Sequence, residues 1–184
     1  MELAPRDVTP STAKLGSGDP FVRQMMNLLP RLRRFARALT QVNSDADDLV
    51  QLTVEKCLRE RAQWADGSRL DSWMFTAMRN AWIDETRMRS RRGESLAAVG
   101  EAERVADGSV ASEELKVQAM SIQAAMAALP AEQRVAVALV LVDGMSYQEA
   151  AELLGVPEGT LTSRLSRARA TLLSKMNEGR HGHH

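Results

Sequence analysis

Residues 146–176 read SYQEAAELLGVPEGTLTSRLSRARATLLSKM, and this stretch decides the fold of the C-terminal part of the chain. Ser146 and Glu149 have the S-x-x-E spacing of a capping box, which marks the start of a helix. That helix is short because Gly155 ends it. Pro157 suits the first turn of the next helix because it has no N–H to lose there. The segment therefore predicts a short helix, a tight turn and a second helix, which is the shape of a helix-turn-helix.

The second of these helices separates its side chains by face. Apolar residues recur at three- and four-residue spacing and are predicted to face the core. They are Leu161, Leu165, Ala168 and Leu172. The opposite side carries short hydrogen-bonding side chains and an arginine, which suit base edges and phosphates in the major groove. These residues are Thr162, Ser163, Ser166 and Arg167, flanked by Arg164 and Arg169 as candidate phosphate contacts. The pattern favours DNA binding over an ordinary helical hairpin with a solvated polar face.

The distribution of charge supports this interpretation, although the 184-residue chain has 24 basic and 24 acidic residues and no formal net charge. A nucleic-acid partner requires local positive charge, not a positive total. Residues 157–180 hold five basic and two acidic residues, a local charge of +3. Residues 93–114 hold six acidic residues and one basic residue, a local charge of −5. We interpret residues 93–112 as a flexible acidic linker. Its negative charge offsets the basic residues of 157–180 in the formal net charge of the chain.

Helical periodicity also dominates the sequence before the linker. An apolar face begins at Phe21 and continues at three- and four-residue steps. A second helix is predicted over 45–62, with Ser44 as its N-cap. Its buried side is predicted to contain Leu49, Val50, Leu52, Val54 and Cys57. A third helix is predicted over 73–91, capped by Asp71 or Ser72.

After the linker, an apolar face that includes Ile122 predicts a helix ending near Pro130, and the very apolar run to Val142 predicts a buried helix. The fold class expected is all-α, with two small, separately folded helical domains joined by the acidic linker. The predicted units are a tail (1–20), an N-terminal helical domain (21–92), the linker (93–112), a helix-turn-helix domain (113–178) and a C-terminal tail (179–184).

The third helix begins aromatic and ends strongly basic, and residues 70–92 read LDSWMFTAMRNAWIDETRMRSRR. Its arginines, which can hold a phosphate backbone, are Arg87, Arg89, Arg91 and Arg92. Nearby aromatic and amide groups can contact unstacked bases. Core packing is the simpler interpretation of at least two of Trp73, Phe75 and Trp82. A solvated helix end that complements the helix dipole is the alternative for the arginines.

Enzyme chemistry is not indicated. The sequence has no recognisable phosphate-cradling glycine loop or nucleophile–base pair, and all three histidines lie in the last four residues. A single cysteine, Cys57, excludes an internal disulfide. No apolar run approaches the roughly 20 residues that span a bilayer, and the N-terminus has no signal-peptide stretch. We therefore expect no catalytic residues, no cofactor, no metal site and no membrane insertion, and we expect a cytoplasmic location.

Three stretches, in this order, resemble the extracytoplasmic-function sigma factors of the sigma-70 family. DADDLVQLTVEKCLR (45–59) resembles their polymerase-binding helix, and residues 70–92 resemble their promoter-melting region. GTLTSRLSRARATL (159–172) resembles their reader of the −35 element. The resemblance covers about residues 28–176 apart from the linker.

The resemblance implies a role for each half of the chain. The first domain would dock on a coiled coil of the largest subunit of core RNA polymerase, through Asp48, Leu49 and Gln51, with Asp45 and Glu55 nearby. It would also open the −10 element by capturing a flipped base between the Trp64–Leu70 loop and the third helix. The residues implied in that step are Trp64, Arg79, Asn80, Arg87 and Arg91, with Asn80 as the polar reader. The helix-turn-helix would place Thr162, Ser163, Ser166 and Arg167 in the major groove of the −35 element.

The partners implied are core RNA polymerase, promoter DNA and an anti-sigma factor, and the free protein is expected to be a monomer. Two alternatives stay open. A helix-turn-helix regulator that acts without polymerase would leave the basic third helix unexplained. A sigma mimic that sequesters an anti-sigma factor would be expected to lose the basic residues of the recognition helix and to carry a receiver domain.

Overall fold

The computed structural model describes residues 19–40, 42–64, 69–92 and 113–181. Within these ranges the regular structure is helical and contains no strand, so the all-α prediction is confirmed there. No helix of this described part is long and apolar enough to cross a membrane. The expected linker, most of the N-terminal tail and residues 65–68 of the Trp64–Leu70 loop lie outside the described residues.

The N-terminal bundle contains three α-helices and a short 3₁₀ turn. They are α1 (Pro20–Thr40), α2 (Asn43–Arg59), the turn Arg61–Gln63 and α3 (Leu70–Arg91). The apolar stripes of the three helices meet in a core in which the rings of Phe35 and Phe75 lie edge to face, with centroids 5.1 Å apart. Trp82 is also buried, so core packing accounts for two of the three aromatic residues of α3 that the sequence singles out.

The C-terminal bundle contains four α-helices and a π-helical segment. They are α4 (Glu113–Ala127), α5 (Ala131–Val137), the π-helical segment (Ala138–Val142), α6 (Tyr147–Leu154) and α7 (Glu158–His181). The apolar run that predicts one buried helix therefore forms an α-helix that widens in its last turn. This widening is visible in the hydrogen bond from the Asp143 N–H to the Ala138 carbonyl oxygen, at 3.0 Å.

The two bundles pack against each other, whereas the sequence predicts separately folded units. Their buried apolar side chains form one continuous cluster that runs from Phe21 to Ala168. α1 packs against the π-helical segment, and α3 packs against α6. This packing brings surfaces of the N-terminal bundle into contact with the helix-turn-helix.

The predicted helix caps upstream of the linker are wrong. α2 follows Val42 and α3 follows Arg69, and neither start has a side-chain capping bond. Asp71 lies inside α3, where its Oδ1 atom accepts the N–H of Ser72 at 2.8 Å. α3 begins earlier than expected because Leu70, only 4% exposed, is drawn into the core.

Two apolar residues assigned to buried faces are exposed. Leu52 on α2 is 51% exposed, because the covered stripe of that helix runs through Leu49, Thr53 and Cys57 instead. Ile122 on α4 is 47% exposed, since its neighbours Ala125 and Met126 take the covered side. Both positions lie at the edge of an apolar stripe, where periodicity alone does not decide which residue a neighbouring helix covers.

Candidate nucleic-acid interface

The helix-turn-helix has the local geometry that its sequence predicts. Ser146 Oγ accepts the Glu149 N–H at 3.2 Å, and Glu149 Oε2 accepts the Ser146 N–H at 3.1 Å, which completes the capping box. The backbone and side-chain hydrogen bonds from Ser146 lower the pKa of Glu149, with a smaller contribution from Arg69. These bonds fix the start of α6.

The turn between α6 and α7 depends on Gly155. Its φ of 65° lies in the left-handed region, which glycine adopts without the strain of a side chain. The Val156 N–H reaches the Ala151 carbonyl oxygen at 3.1 Å, and the Gly155 N–H reaches the Glu152 carbonyl oxygen at 3.1 Å. This pair of bonds is a Schellman motif, which closes α6 and directs the chain into α7.

α7 presents a polar face to solvent. Leu161, Leu165 and Ala168 are buried, and Leu172 is half-buried. The opposite side is exposed and carries Thr162, Ser163, Ser166 and Arg167, and Arg169, which flanks it, is exposed as well. The Nε atom of Arg167 donates to the Ser163 carbonyl oxygen at 3.2 Å, so part of this guanidinium is held along the helix. The face offers hydroxyl groups and two exposed guanidinium groups within little more than two helical turns.

Arg164 differs from the other arginines of this face. Its Nη2 atom lies 2.6 Å from Oε2 of Glu132, in the first turn of α5, and its side chain is only 18% exposed. The structure therefore holds Arg164 by an ion pair with α5 and does not present it freely to a phosphate.

Four of the five candidate −10 residues are spread along α3, and the fifth, Trp64, precedes this helix. Asn80 is exposed, and its Oδ1 atom accepts hydrogen bonds from Arg79 Nε at 3.1 Å and Nη2 at 2.7 Å. Arg87 and Arg91 are exposed near the C-terminal end of the helix. Trp64 is half-buried, with its ring centroid 5.4 Å from that of Phe21. The structure thus joins Arg79 to Asn80. Further along the same helix, Arg91 Nε donates to the Arg87 carbonyl oxygen at 3.3 Å, while Trp64 packs on Phe21.

Three of the polymerase-binding residues implied by the resemblance, Asp45, Asp48 and Leu49, line a groove between α2 and α3 with a volume of about 380 Å³, and Gln51 and Glu55 lie on α2 outside its lining. Asp48, Gln51 and Glu55 are exposed, and Gln51 donates to Glu55 at 2.9 Å. Leu49 is buried at the base of the groove. Asp45 is half-buried and bound by Arg89 at 3.0 Å, so it is less available than its neighbours.

Sequence reasoning missed Leu52 as a member of this groove. Its side chain is exposed beside Asp48, which lies one helical turn earlier. The four-residue spacing to Asp48 is the signal that places both on one outward face. An exposed leucine next to carboxylates is typical of a protein-binding surface.

Sequence reasoning also missed the residues that join the bundles. Arg31 on α1 binds Asp143, which lies 112 positions later, through Nε–Oδ1 at 3.1 Å and Nη2–Oδ2 at 2.6 Å. Arg134 on α5 donates to the Leu39 carbonyl oxygen of α1 at 3.0 Å. No local pattern marks these residues as partners, because each contact depends on how the bundles pack.

Comparison with known proteins gives matches for both bundles. The family model described as "Sigma-70, region 4" matches residues 119–172, and the model described as "Sigma2 domain of PhyR" matches residues 25–79. The chain is 36% identical over 151 residues to the ECF RNA polymerase sigma factor EcfG of Rhodopseudomonas palustris, and the match covers 78% of each chain.

Two solved structures from Bartonella quintana resemble the fold. One is the sigma factor RpoE in complex with the anti-sigma factor NepR, with a TM-score of 0.68 and 32% identity, covering 85% of this chain and 96% of that one. The other is the anti-anti-sigma factor PhyR complexed with NepR, with a TM-score of 0.53, covering 82% of this chain and 49% of that one. The second match has 18% identity and shows the fold alone.

Proposed function

This chain belongs to the extracytoplasmic-function RNA polymerase sigma factors of the sigma-70 family, and from that premise we propose that it directs core RNA polymerase to specific promoters. The observation that carries the proposal is the exposed hydroxyl and guanidinium face of α7. It lies on a helix-turn-helix whose capping box and turn are complete. Such a helix fits the major groove, where side chains reach base edges.

The recognition face would divide its contacts between bases and backbone. Thr162, Ser163 and Ser166 can donate to and accept from base edges, and Arg167 can bind a guanine. Arg169, one turn from Ser166 and also exposed, would hold a phosphate. In this scheme α7 reads the −35 element, and Arg164 joins the phosphate contacts only when it leaves Glu132.

The −10 element would be read by the N-terminal bundle. Asn80 is exposed on α3, and an amide matches the hydrogen-bonding edge of a base. Arg87 and Arg91, further along the same helix, would hold the backbone of the displaced strand. Opening the duplex costs a few kcal/mol for each unstacked base, which contacts in the complex must offset.

Core polymerase would dock on the groove between α2 and α3. Exposed Asp48 in the groove and exposed Glu55 further along α2 offer negative charge, while Leu52 offers apolar area. A basic partner surface with an apolar centre would complement this groove, and the largest-subunit coiled coil is the partner that the family implies. Docking would fix the separation of the two DNA-reading modules and raise the effective concentration of the second contact.

An anti-sigma factor would control the protein through a second groove, of about 490 Å³, that both bundles line. Its wall is apolar, with exposed Leu141 and Ile122, and Arg34 and Arg37 lie at its edge. We assign it to an amphipathic helix of the anti-sigma partner whose polar side is acidic. The support is this charge pattern, together with the complex that the similar Bartonella quintana sigma factor forms with an anti-sigma protein.

Reconstituted transcription with core polymerase and a promoter library tests the proposal. We expect initiation that requires the chain and that falls sharply with Arg167→Ala and with Asn80→Ala. Arg33→Ala, at an exposed site on α1, is the matched control. Failure of the wild-type chain to associate with core polymerase would overturn the proposal.

A sigma mimic is the second candidate, because the "Sigma2 domain of PhyR" model matches the N-terminal bundle and a solved relative of that name is an anti-anti-sigma factor. The exposed arginines of α7 favour the first candidate, since a mimic has no use for a DNA-reading face. Core association decides between them, because a mimic would bind the anti-sigma partner and leave core polymerase free.

A further inference from the structure

Asn80 meets its neighbour Arg79 through one atom, the amide oxygen. Arg79 Nε lies 3.1 Å from Asn80 Oδ1, and Arg79 Nη2 lies 2.7 Å from the same atom. A guanidinium offers only N–H donors and has no acceptor. The amide of Asn80 can therefore bind Arg79 only with its oxygen, and this contact fixes which half of the amide points away from the guanidinium.

The contact between the two side chains lies within α3. Arg79 is half-buried, and its remaining nitrogen, Nη1, donates to the Leu153 carbonyl oxygen of α6 at 3.3 Å. Burial lowers the pKa of Arg79, but a guanidinium stays protonated near neutral pH and so remains a donor. Because both bonds to Asn80 join adjacent residues of one helix, they do not require α6.

The bonds from Arg79 change what Asn80 can offer to a base. An asparagine whose amide is free binds adenine through two bonds, since its oxygen accepts from the N6 amine and its NH2 group donates to N7. In this structure the oxygen already accepts from two nitrogens of Arg79. The exposed side chain of Asn80 is therefore left with its NH2 group as the part that a base can bind.

The four bases differ in what they present to a donor. Cytosine, guanine and thymine each carry an exocyclic carbonyl oxygen, whereas adenine carries an exocyclic amine and has only ring nitrogens as acceptors. An amine placed against the NH2 group of Asn80 would set one donor opposite another, and a donor that loses its partner on binding costs affinity. A donor-only amide thus favours a base with a carbonyl oxygen.

We infer that Arg79 is a positioning residue that makes Asn80 a donor-only reader, which selects a captured base with an exocyclic carbonyl oxygen and discriminates against adenine. This inference rests on the proposed −10 role of Asn80. The discrimination depends on about one hydrogen bond, which corresponds to roughly threefold to tenfold in affinity. Arg87 and Arg91, which would hold the backbone, take no part in this choice.

The test uses the holoenzyme formed by core polymerase and the full-length chain. Selection from a library randomised across the −10 element first finds the position at which Asn80→Ala removes the base preference. Labelled single strands of the selected non-template sequence then carry either adenine or hypoxanthine at that position. Hypoxanthine is a purine with a carbonyl oxygen where adenine has its amine, so the two strands have nearly the same shape. Fluorescence anisotropy measures both Kd values.

The wild-type holoenzyme should bind the hypoxanthine strand about threefold to tenfold more tightly than the adenine strand. Arg79→Ala and Arg79→Met should abolish this difference, because the freed oxygen of Asn80 can accept from the adenine amine. Arg79→Lys should retain part of it, since an ammonium group also only donates. Arg87→Ala, at an exposed arginine of the same helix, is the matched control and should weaken both strands equally.

Assembly of each variant with core polymerase shows that it is folded, and either Arg79→Ala or Arg79→Met decides if the other does not assemble. A difference that persists without the guanidinium would overturn Arg79 as the positioning residue. A wild type that binds both strands alike, or prefers adenine, would overturn the donor-only reader. Asp84→Asn removes the exposed carboxylate one turn after Asn80, and a difference that follows this change instead would also overturn the inference.

Failure of the proposed function would give different results. A wild-type chain that never joins core polymerase would overturn the proposed function as a whole. A holoenzyme that forms, but has no position sensitive to Asn80→Ala, would overturn the −10 role of Asn80 and this inference with it.

Discussion

Arg164 Nη2 lies 2.6 Å from Glu132 Oε2, so the first turn of α5 holds an arginine of the recognition helix. The side chain of Arg164 is 18% exposed, whereas that of Glu132 is 68% exposed. A phosphate and Glu132 would compete for this guanidinium. The pair therefore sets how much positive charge the helix-turn-helix offers to DNA.

Glu132→Gln is expected to free Arg164 and to tighten sequence-independent duplex binding. One more phosphate contact would steepen the slope of log K against log salt concentration by about 0.9. A salt titration followed by fluorescence anisotropy measures this slope. In the double variant Glu132→Gln/Arg164→Ala the gain in duplex affinity should vanish. A gain that persists would show that loss of the Glu132 charge acts through the electrostatic potential around the protein and not through Arg164.

Arg167→Ala and Arg169→Ala are expected to differ although both arginines are exposed on α7. Loss of a base contact costs about 1–3 kcal/mol and relaxes preference at one position, whereas loss of a phosphate contact weakens all sites alike. Selection of −35 sequences from a library with the reconstituted polymerase measures both effects. Equal losses on every sequence for both variants would contradict the assignment of Arg167 to a base.

Leu52→Ala is expected to weaken binding to core polymerase by about tenfold, because the interface would lose part of the apolar area that one leucine buries. Leu52 is already 51% exposed in the free chain, so the stability of the fold should change little. Surface plasmon resonance with immobilised core measures the Kd. Met26→Ala, at a methionine on α1 that is 56% exposed, is the matched control, and equal effects of the two variants would remove Leu52 from the docking surface.

Cys57 is expected to resist thiol reagents in the native protein. Burial raises the pKa of this thiol to about 11, with a smaller contribution from Glu60, so little reactive thiolate exists near neutral pH. Labelling with a chromogenic disulfide should be slow in buffer and rapid in denaturing urea. Because the chain has one cysteine, the signal is unambiguous. Rapid labelling of the native chain would contradict the packing of α2.

The Asp71 carboxylate is expected to contribute a small amount to the free energy of unfolding, and this contribution is lost in acid. Hydrogen bonds from Arg69, at 2.9 and 3.2 Å, lower its pKa below the unfolded value of about 3.9. The stabilisation is therefore fully present above about pH 3.9 and is lost as the pH falls through the lower folded pKa. Arg69 is 53% exposed, so the contribution should stay below about 1 kcal/mol.

Urea unfolding of the wild type and Asp71→Asn, at about pH 7 and about pH 3, measures this contribution. The difference in unfolding free energy between the two proteins should shrink at the lower pH. Asp47→Asn, the same change at an exposed site, controls for loss of charge. A difference that grows on acidification would contradict the sign of the pKa shift.

The sequence by itself determined the parts of the fold that depend on local chemistry. The spacing of Ser146 and Glu149 and the left-handed conformation open to Gly155 identify the helix-turn-helix without reference to any other residue. Helical periodicity likewise separates buried Leu161 from exposed Arg167, because the two faces of one helix are set by its 3.6-residue turn. The caps failed at α2 and α3, where burial of Leu70 extended a helix past its polar residues.

Only the tertiary structure decided which surfaces are available. Arg31 meets Asp143 across 112 residues, and Arg69 meets Glu149 across 80. Such contacts depend on how two amphipathic bundles bury their remaining apolar faces against each other, and no period within either bundle encodes that choice. The same packing left Leu52 exposed and turned Arg79 toward α6, because coverage of a side chain is a property of its neighbours in space.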